Sequence, residues 1–186
     1  MEKTFLMIKP DGVNRGLVGD VITRCERAGF RLVALKMVHP SREMVEKHYP
    51  SSDVWLIASG EKTLIFYRER KLNIKKHLGT DSAVEIGRIV KERIIDFISS
   101  GPVVVMVWEG VHTVEKVRQL VGSTFSIEAG SGTIRGDFAC DSPDLSNVRH
   151  RSTRNVVHAS GDCEEADNEI KLWFSEDEIY HSEKSE

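Results

Sequence analysis

The sequence predicts an α/β or α+β sandwich in which four strands carry helices on one face. Three observations lead there. Val103-Val104-Val105-Met106-Val107-Trp108 is an unbroken apolar run, the pattern of a central strand. Leu17, Val18, Val21, Ile22 and Cys25 recur at helical spacing just after a β-rich N-terminus. The same strand-then-helix order returns at residues 103–121 and 154–174. With 186 residues, 40% of them apolar, the chain can bury one core but not two comfortable ones, so residues 1–186 form a single domain.

The elements follow in order. Lys3 to Ile8 is a strand, ended by Lys9-Pro10-Asp11-Gly12-Val13, where proline cannot extend a ladder. A helix runs from Leu17 to Ala28 with Gly29 at its C-terminal end, and Phe30 to Val38 is the second strand. Ser41 caps a short helix through His48-Tyr49, which Pro50 closes. Residues 51–99 form a helical insertion: one helix near Val54 to Ile57, another across Lys62 to Lys71, and a third from Ala83 to Ile98 with Ser82 and Glu85 as its capping box. After the Val103 strand, Thr113 caps a helix from Val114 to Val121. Gly122 to Ile134 is a loop, and residues 141–153 are a polar surface excursion. Residues 175–186 are an acidic tail.

The chemistry concentrates in Arg154-Asn155-Val156-Val157-His158-Ala159-Ser160. On a strand, the period of two puts Val156, His158 and Ser160 on one face. Asp162 and Glu165 then open a helix as a capping box, with Ala166, Ile170 and Trp173 on its apolar stripe. Glu169 lies beside that stripe, where a carboxylate needs a partner, and His158 is the candidate. A single histidine on a strand is more often a structural residue than a catalyst, and the balance moves here because the segment does not stand alone. No Gly-x-x-x-x-Gly-Lys-Ser/Thr loop is present, so phosphate binding needs cations from other places, with Lys9, Arg118 and Arg135 as candidates.

The segment Asn155-x-x-His158-x-Ser160 resembles the active-site signature of the nucleoside diphosphate kinases. Lys9-Pro10-Asp11-Gly12-Val13 and Gly132-Thr133-Ile134-Arg135-Gly136-Asp137-Phe138 resemble two further stretches of that family, in the same order. The resemblance implies an α+β fold of ferredoxin-like βαββαβ type, with a four-stranded antiparallel sheet and extra helices inserted. It implies transfer of the γ-phosphoryl of a nucleoside triphosphate to a nucleoside diphosphate, ping-pong, through a phosphohistidine on His158. Glu169 then positions the imidazole and Ser160 supports it. Lys9, Tyr49, Arg118, Thr124, Arg135 and Asn155 bind nucleotide, with Asn155 at the ribose. Magnesium (Mg2+) arrives on the nucleotide phosphates, with no fixed metal site, and the chain assembles as a homo-oligomer. Departures from the family pattern are Gly161 in place of the usual aspartate, Ala159 in place of glycine, and the longer stretch between Tyr49 and Gly101. Trp55 is the candidate there for stacking on the base. A catalytically weak nucleotide-binding or scaffold relative is the rival reading, and it rests on those departures.

A formal charge of −3 gives no general attraction to nucleic acid or anionic membranes, and the Lys75-Lys76-His77 run reads as a solvated face. The apolar run Val103 to Trp108 is far short of the roughly 20 residues of a membrane helix. Cys25, Cys140 and Cys163 lack pairing spacings, which suits a cytoplasmic compartment.

Overall fold

A computed structural model describes residues 1–180. Strands β1 (Glu2–Ile8), β2 (Arg31–Val38), β3 (Val103–Gly110) and β4 (Val157–Ala159) form one antiparallel sheet in the order β2-β3-β1-β4. This is the ferredoxin-like βαββαβ arrangement, with helices inserted between β2 and β3. The short helix α1 (Pro10–Asn14) and α2 (Val18–Arg27) follow β1. Next come α3 (Arg42–His48), α4 (Asp53–Glu69), α5 (Ile74–Leu78) and α6 (Ala83–Ile98). Then α7 (Thr113–Val121), α8 (Ile134–Phe138) and α9 (Pro143–Val148) lead to β4, and α10 (Cys163–Trp173) follows it.

Helices cover both faces of the sheet, not one. Phe5 and Met7 of β1 pack with Val103, Val105 and Val107 against α3, α6 and α10, while Leu6 and Ile8 pack with Val104, Met106 and Trp108 against α2 and α7. Strands apolar on both faces require cover on both, since each exposed face would leave several large side chains in water.

Local chemistry shifts several boundaries. Residues 53–69 are one helix rather than two, started by the Ser52 hydroxyl accepting from the Trp55 N–H. Gly60 is kept in its middle by packing: a Cβ there would fall 1.9 Å from the Ala83 carbonyl, and one on Gly87 2.0 Å from that of Leu56. The two glycines let the backbones of α4 and α6 touch. Ser82 makes no side-chain cap; the Thr80 hydroxyl accepts from the Ser82 N–H and binds Glu85 instead. Thr113 is the first helical residue of α7, and His112, at φ 50°, is its cap. The Glu2 carboxylate takes the freed Val114 N–H at 2.6 Å, a favourable place for an anion.

The excursion at 141–153 is not a surface loop. Ser142 and Pro143 open α9, and Ser146 and Asn147 are buried. Asp141 anchors it by accepting from Arg151 at 2.5 Å and from the Arg154 N–H at 2.8 Å. Lys75 lies on α5 and pairs with Asp81 at 2.9 Å. Phe174 is buried, and residues 175–180 dock beside β2 through Lys36–Glu178 and the Tyr180 N–H on the Val33 carbonyl. The rest of the expected acidic tail, 181–186, lies outside the described residues.

Candidate active site

Strand β4 is short because Val156 cannot join it. Val156 has φ 66°, and the Val157 N–H closes on the Asn155 carbonyl at 2.7 Å across it. A β-branched residue in that region costs on the order of 1–3 kcal/mol. Neighbours hold it there: the Asp11 carboxylate accepts its N–H at 3.1 Å, and its carbonyl accepts the Lys9 N–H at 2.8 Å. Gly12 passes so close that a Cβ would lie 3.1 Å from the Val156 carbonyl. The kink breaks the simple alternation, so Val156 packs with Val157 and Ala159 in the core on the α2 side of the sheet. His158 and Ser160 still point the same way, both toward Glu169.

Glu169, buried on α10, accepts from His158 Nε2 at 2.6 Å and from the Ser160 hydroxyl at 2.6 Å. Burial raises its pKa. With its other oxygen taken by Ser160, the Glu169 carboxylate at 2.6 Å favours the tautomer with the proton on His158 Nε2, and the Nδ1 lone pair has no protein partner among the described residues. Burial, with Lys9, Arg135 and Arg118 nearby, lowers the His158 pKa to about 3, so the ring is neutral near pH 7. His48 stands behind this pair with its ring 4.6 Å from that of His158 and its Nε2 3.4 Å from Glu169. The Trp173 indole N–H donates to His48 Nδ1 at 3.1 Å, and burial lowers the His48 pKa to about 3.

A cavity of about 620 Å³, the size of a small-molecule site, opens in front of His158. Lys9, Tyr49, Arg118, Thr124, Arg135 and Asn155 all line it. Lys9 Nζ donates to Asn155 Oδ1 at 2.7 Å, and Asn155 Nδ2 donates to the Thr124 carbonyl at 2.8 Å. Burial and the Arg135 charge lower the Lys9 pKa to about 7. Arg135 is buried, with its guanidinium donating to the carbonyls of Gly122, Asn155 and Val157. Burial and Arg118 lower its pKa to about 10. Arg118 makes one long contact, 3.4 Å to the Ser160 carbonyl. The Tyr49 hydroxyl is buried and unpartnered among the described residues, and burial pushes its pKa up. Three cations and a free hydroxyl facing an uncharged nucleophile suit a polyanion bound against His158.

Gly161 also lines the cavity. The Glu165 carboxylate takes the Gly161 N–H, and its Oε2 lies 2.4 Å from where a Gly161 Cβ would be. Glu165 thus fills the place next to Gly161 rather than closing a capping box on Asp162, which only accepts the Glu165 N–H. Trp55 lines the cavity as well, 6.1 Å from the Tyr49 ring. Residues the sequence reading passed over also line it: Phe125, Arg93, Asn147 and Arg151. The Ser142-Pro143 start, a cap followed by proline, is the sequence signal that could have placed Asn147 on a helix.

Known proteins resemble this chain along nearly its whole length. The family model described as nucleoside diphosphate kinase matches residues 2–54 and 73–179. The nucleoside diphosphate kinase of Pyrobaculum aerophilum is 50% identical over 179 residues, 96% of this chain and 98% of that protein. That of Archaeoglobus fulgidus is 42% identical over 186 residues, 100% of this chain and 95% of that protein. A crystal structure of an NDP kinase from Pyrobaculum aerophilum superposes with a TM-score of 0.91 at 48% identity, covering 97% of this chain and 99% of that one. A transition-state mimic of the Borrelia burgdorferi enzyme with vanadate and ADP gives 0.78 at 37% identity, covering 98% and 92%.

Proposed function

The chain belongs to the nucleoside diphosphate kinase family, and from that premise we propose how its residues carry the reaction. The enzyme transfers the γ-phosphoryl group of a nucleoside triphosphate to a nucleoside diphosphate. In our reading His158 Nδ1 attacks the γ-phosphorus in line, and the bond from that phosphorus to the β–γ bridging oxygen breaks. The nucleoside diphosphate leaves with the bridging oxygen. A second nucleoside diphosphate then attacks the phosphohistidine through a terminal β-phosphate oxygen, and the N–P bond breaks. The observation that carries this reading is the Glu169–Nε2 hydrogen bond of 2.6 Å, which reserves Nδ1 for phosphorus.

Charge builds on the imidazole as Nδ1 bonds to phosphorus, and the Glu169 carboxylate offsets it through the proton on Nε2. Ser160 holds the second oxygen of Glu169 and fixes its orientation. Lys9, Arg118 and Arg135 balance the phosphates, Tyr49 and Thr124 add neutral donors, and Asn155 meets the ribose. Magnesium enters as part of the nucleotide. The three-residue cluster His48, His158 and Glu169 fits it poorly, since two of the three are imidazoles and this ion prefers an oxygen octahedron. The rival reading, a catalytically weak relative, rests on Gly161 and on the inserted stretches; at Gly161 the Glu165 carboxylate already stands. Initial rates at several fixed levels of the second nucleotide test the two-step cycle. Parallel double-reciprocal lines are expected, and intersecting lines mean transfer within a ternary complex.

Lys9 makes binding pH-dependent. Its pKa near 7 means that at pH 8 most free enzyme carries it neutral. A bound phosphate raises that pKa and recharges the ammonium, so binding at pH 8 takes up close to one proton. Uptake shrinks as pH falls below about 7, where Lys9 is already protonated. Calorimetry in buffers of different ionisation enthalpy reads this directly, and Lys9→Met should abolish it. Proton release, or uptake unchanged in that variant, contradicts the role.

The chain assembles with copies of itself in this reading. Leu35 and Met37 are 47% and 59% exposed on edge strand β2, beyond the Val33 carbonyl that Tyr180 takes, and an open edge favours a partner. A monomer mass by sedimentation rules this out. Among the described residues, no helix is long and apolar enough to cross a membrane. Three free cysteines fit a cytoplasmic location, which cell fractionation tests.

A further inference from the structure

The cavity has a second wall. Helices α4, α6 and α9 contribute Trp55, Lys62, Val90, Arg93, Ile94 and Asn147, none of which belongs to the phosphate and ribose set. With the phosphates on the Lys9 side, this wall is what remains for the base.

Arg93 is the charged group of this wall that a buried partner holds. One guanidinium nitrogen donates to Asn147 Oδ1 at 2.8 Å, and Asn147 is itself buried. Asn147 Nδ2 in turn donates to the Tyr67 hydroxyl at 3.2 Å, and that hydroxyl contacts His77 Nδ1 at 2.9 Å. The amide is therefore used at both ends and cannot turn, which fixes the plane of the guanidinium. A second nitrogen lies 3.5 Å from His150 Nδ1, and no carboxylate pairs with Arg93 among the described residues. Burial lowers its pKa, so its charge is held at a cost with no anion paired to it among the described residues. The other nearby cations differ. Arg151 is neutralised by Asp141, and Lys62 is exposed.

A lone guanidinium among Trp55, Val90 and Ile94 suits a flat ring with acceptors on one edge better than a phosphate, which gathers several donors. Guanine and hypoxanthine present two adjacent acceptors, N7 and O6. Adenine replaces O6 by an amine, which is a donor and opposes Arg93. We propose that Arg93 reads the base and favours 6-oxopurine nucleotides over adenosine nucleotides.

The inference rests on His158 carrying the phosphoryl group. The full-length protein is phosphorylated with ATP, freed of nucleotide, and discharged onto GDP, IDP or ADP in single-turnover mixing. GDP and IDP should discharge it about tenfold faster than ADP, the scale of one bidentate contact. Arg93→Ala should slow GDP and IDP about tenfold and leave ADP unchanged. If Arg93→Ala does not fold, Arg93→Lys decides, because it keeps the charge and lacks the fork. Retention of the full preference in Arg93→Lys overturns the proposal. So do equal wild-type rates for the three nucleotides, or an equal loss for all three in Arg93→Ala. IDP behaving like ADP overturns it too, because recognition would then lie at the 2-amino group. Absence of any label from ATP defeats the His158 reading first, whereas a labelled protein without base preference defeats this inference alone.

Discussion

His158→Ala abolishes phosphotransfer, lowering kcat by at least about 10⁴-fold, because the covalent route has no other entry. Nothing near it substitutes. His48 is fully buried behind His158, and its Nδ1 is occupied by Trp173. The fold survives the change, since Glu169 keeps the Ser160 hydroxyl and loses one neutral donor, a cost of about 1–3 kcal/mol. A coupled nucleotide assay beside a thermal melt measures both halves. Activity within tenfold of wild type would place the nucleophile elsewhere.

Arg118→Ala and Arg135→Ala should each cost roughly 2–4 kcal/mol of transition-state stabilisation, the scale for losing one preorganised donor. They should differ in everything else. Arg118 makes one long side-chain hydrogen bond among the described residues, at 3.4 Å, so its removal leaves Tm nearly unchanged. Arg135 also joins the carbonyls of Gly122, Asn155 and Val157, and without it the Gly122 and Val157 carbonyls lose this donor while Asn155 keeps only the Val157 N–H. Arg135→Ala should therefore lower Tm as well as kcat/KM, while Arg135→Lys restores neither fully, lacking the planar fork. Equal melts for the two alanine variants would contradict this division. A loss below tenfold in kcat/KM for both would move the phosphate site.

What the sequence made legible was what short-range chemistry decides. The apolar run of β3, the stripe of α2 and the order of elements follow from periodicity, and His158 next to Glu169 follows from one carboxylate on an apolar helix face. The strained Val156 turn does not follow from those rules, because β-branched residues favour extended backbone and only Asp11 and Lys9, far away in sequence, hold it. The join of α4 is hidden for a similar reason. Gly60 reads as a break until the Ala83 carbonyl is seen packed against it. The second cavity wall was missed because Arg93 and Asn147 are 54 residues apart and meet only through packing. A polar stretch such as 141–153 reads as surface, although Asp141, Ser142, Ser146 and Asn147 within it are buried.

The most direct measurement is brief mixing with γ-labelled ATP, followed by quench in base, proteolysis and identification of the labelled peptide. A single base-stable, acid-labile label on His158 is expected, passing wholly to added nucleoside diphosphate and absent from His158→Ala. Label on any other residue, or label on His158 that added diphosphate cannot remove, contradicts the mechanism.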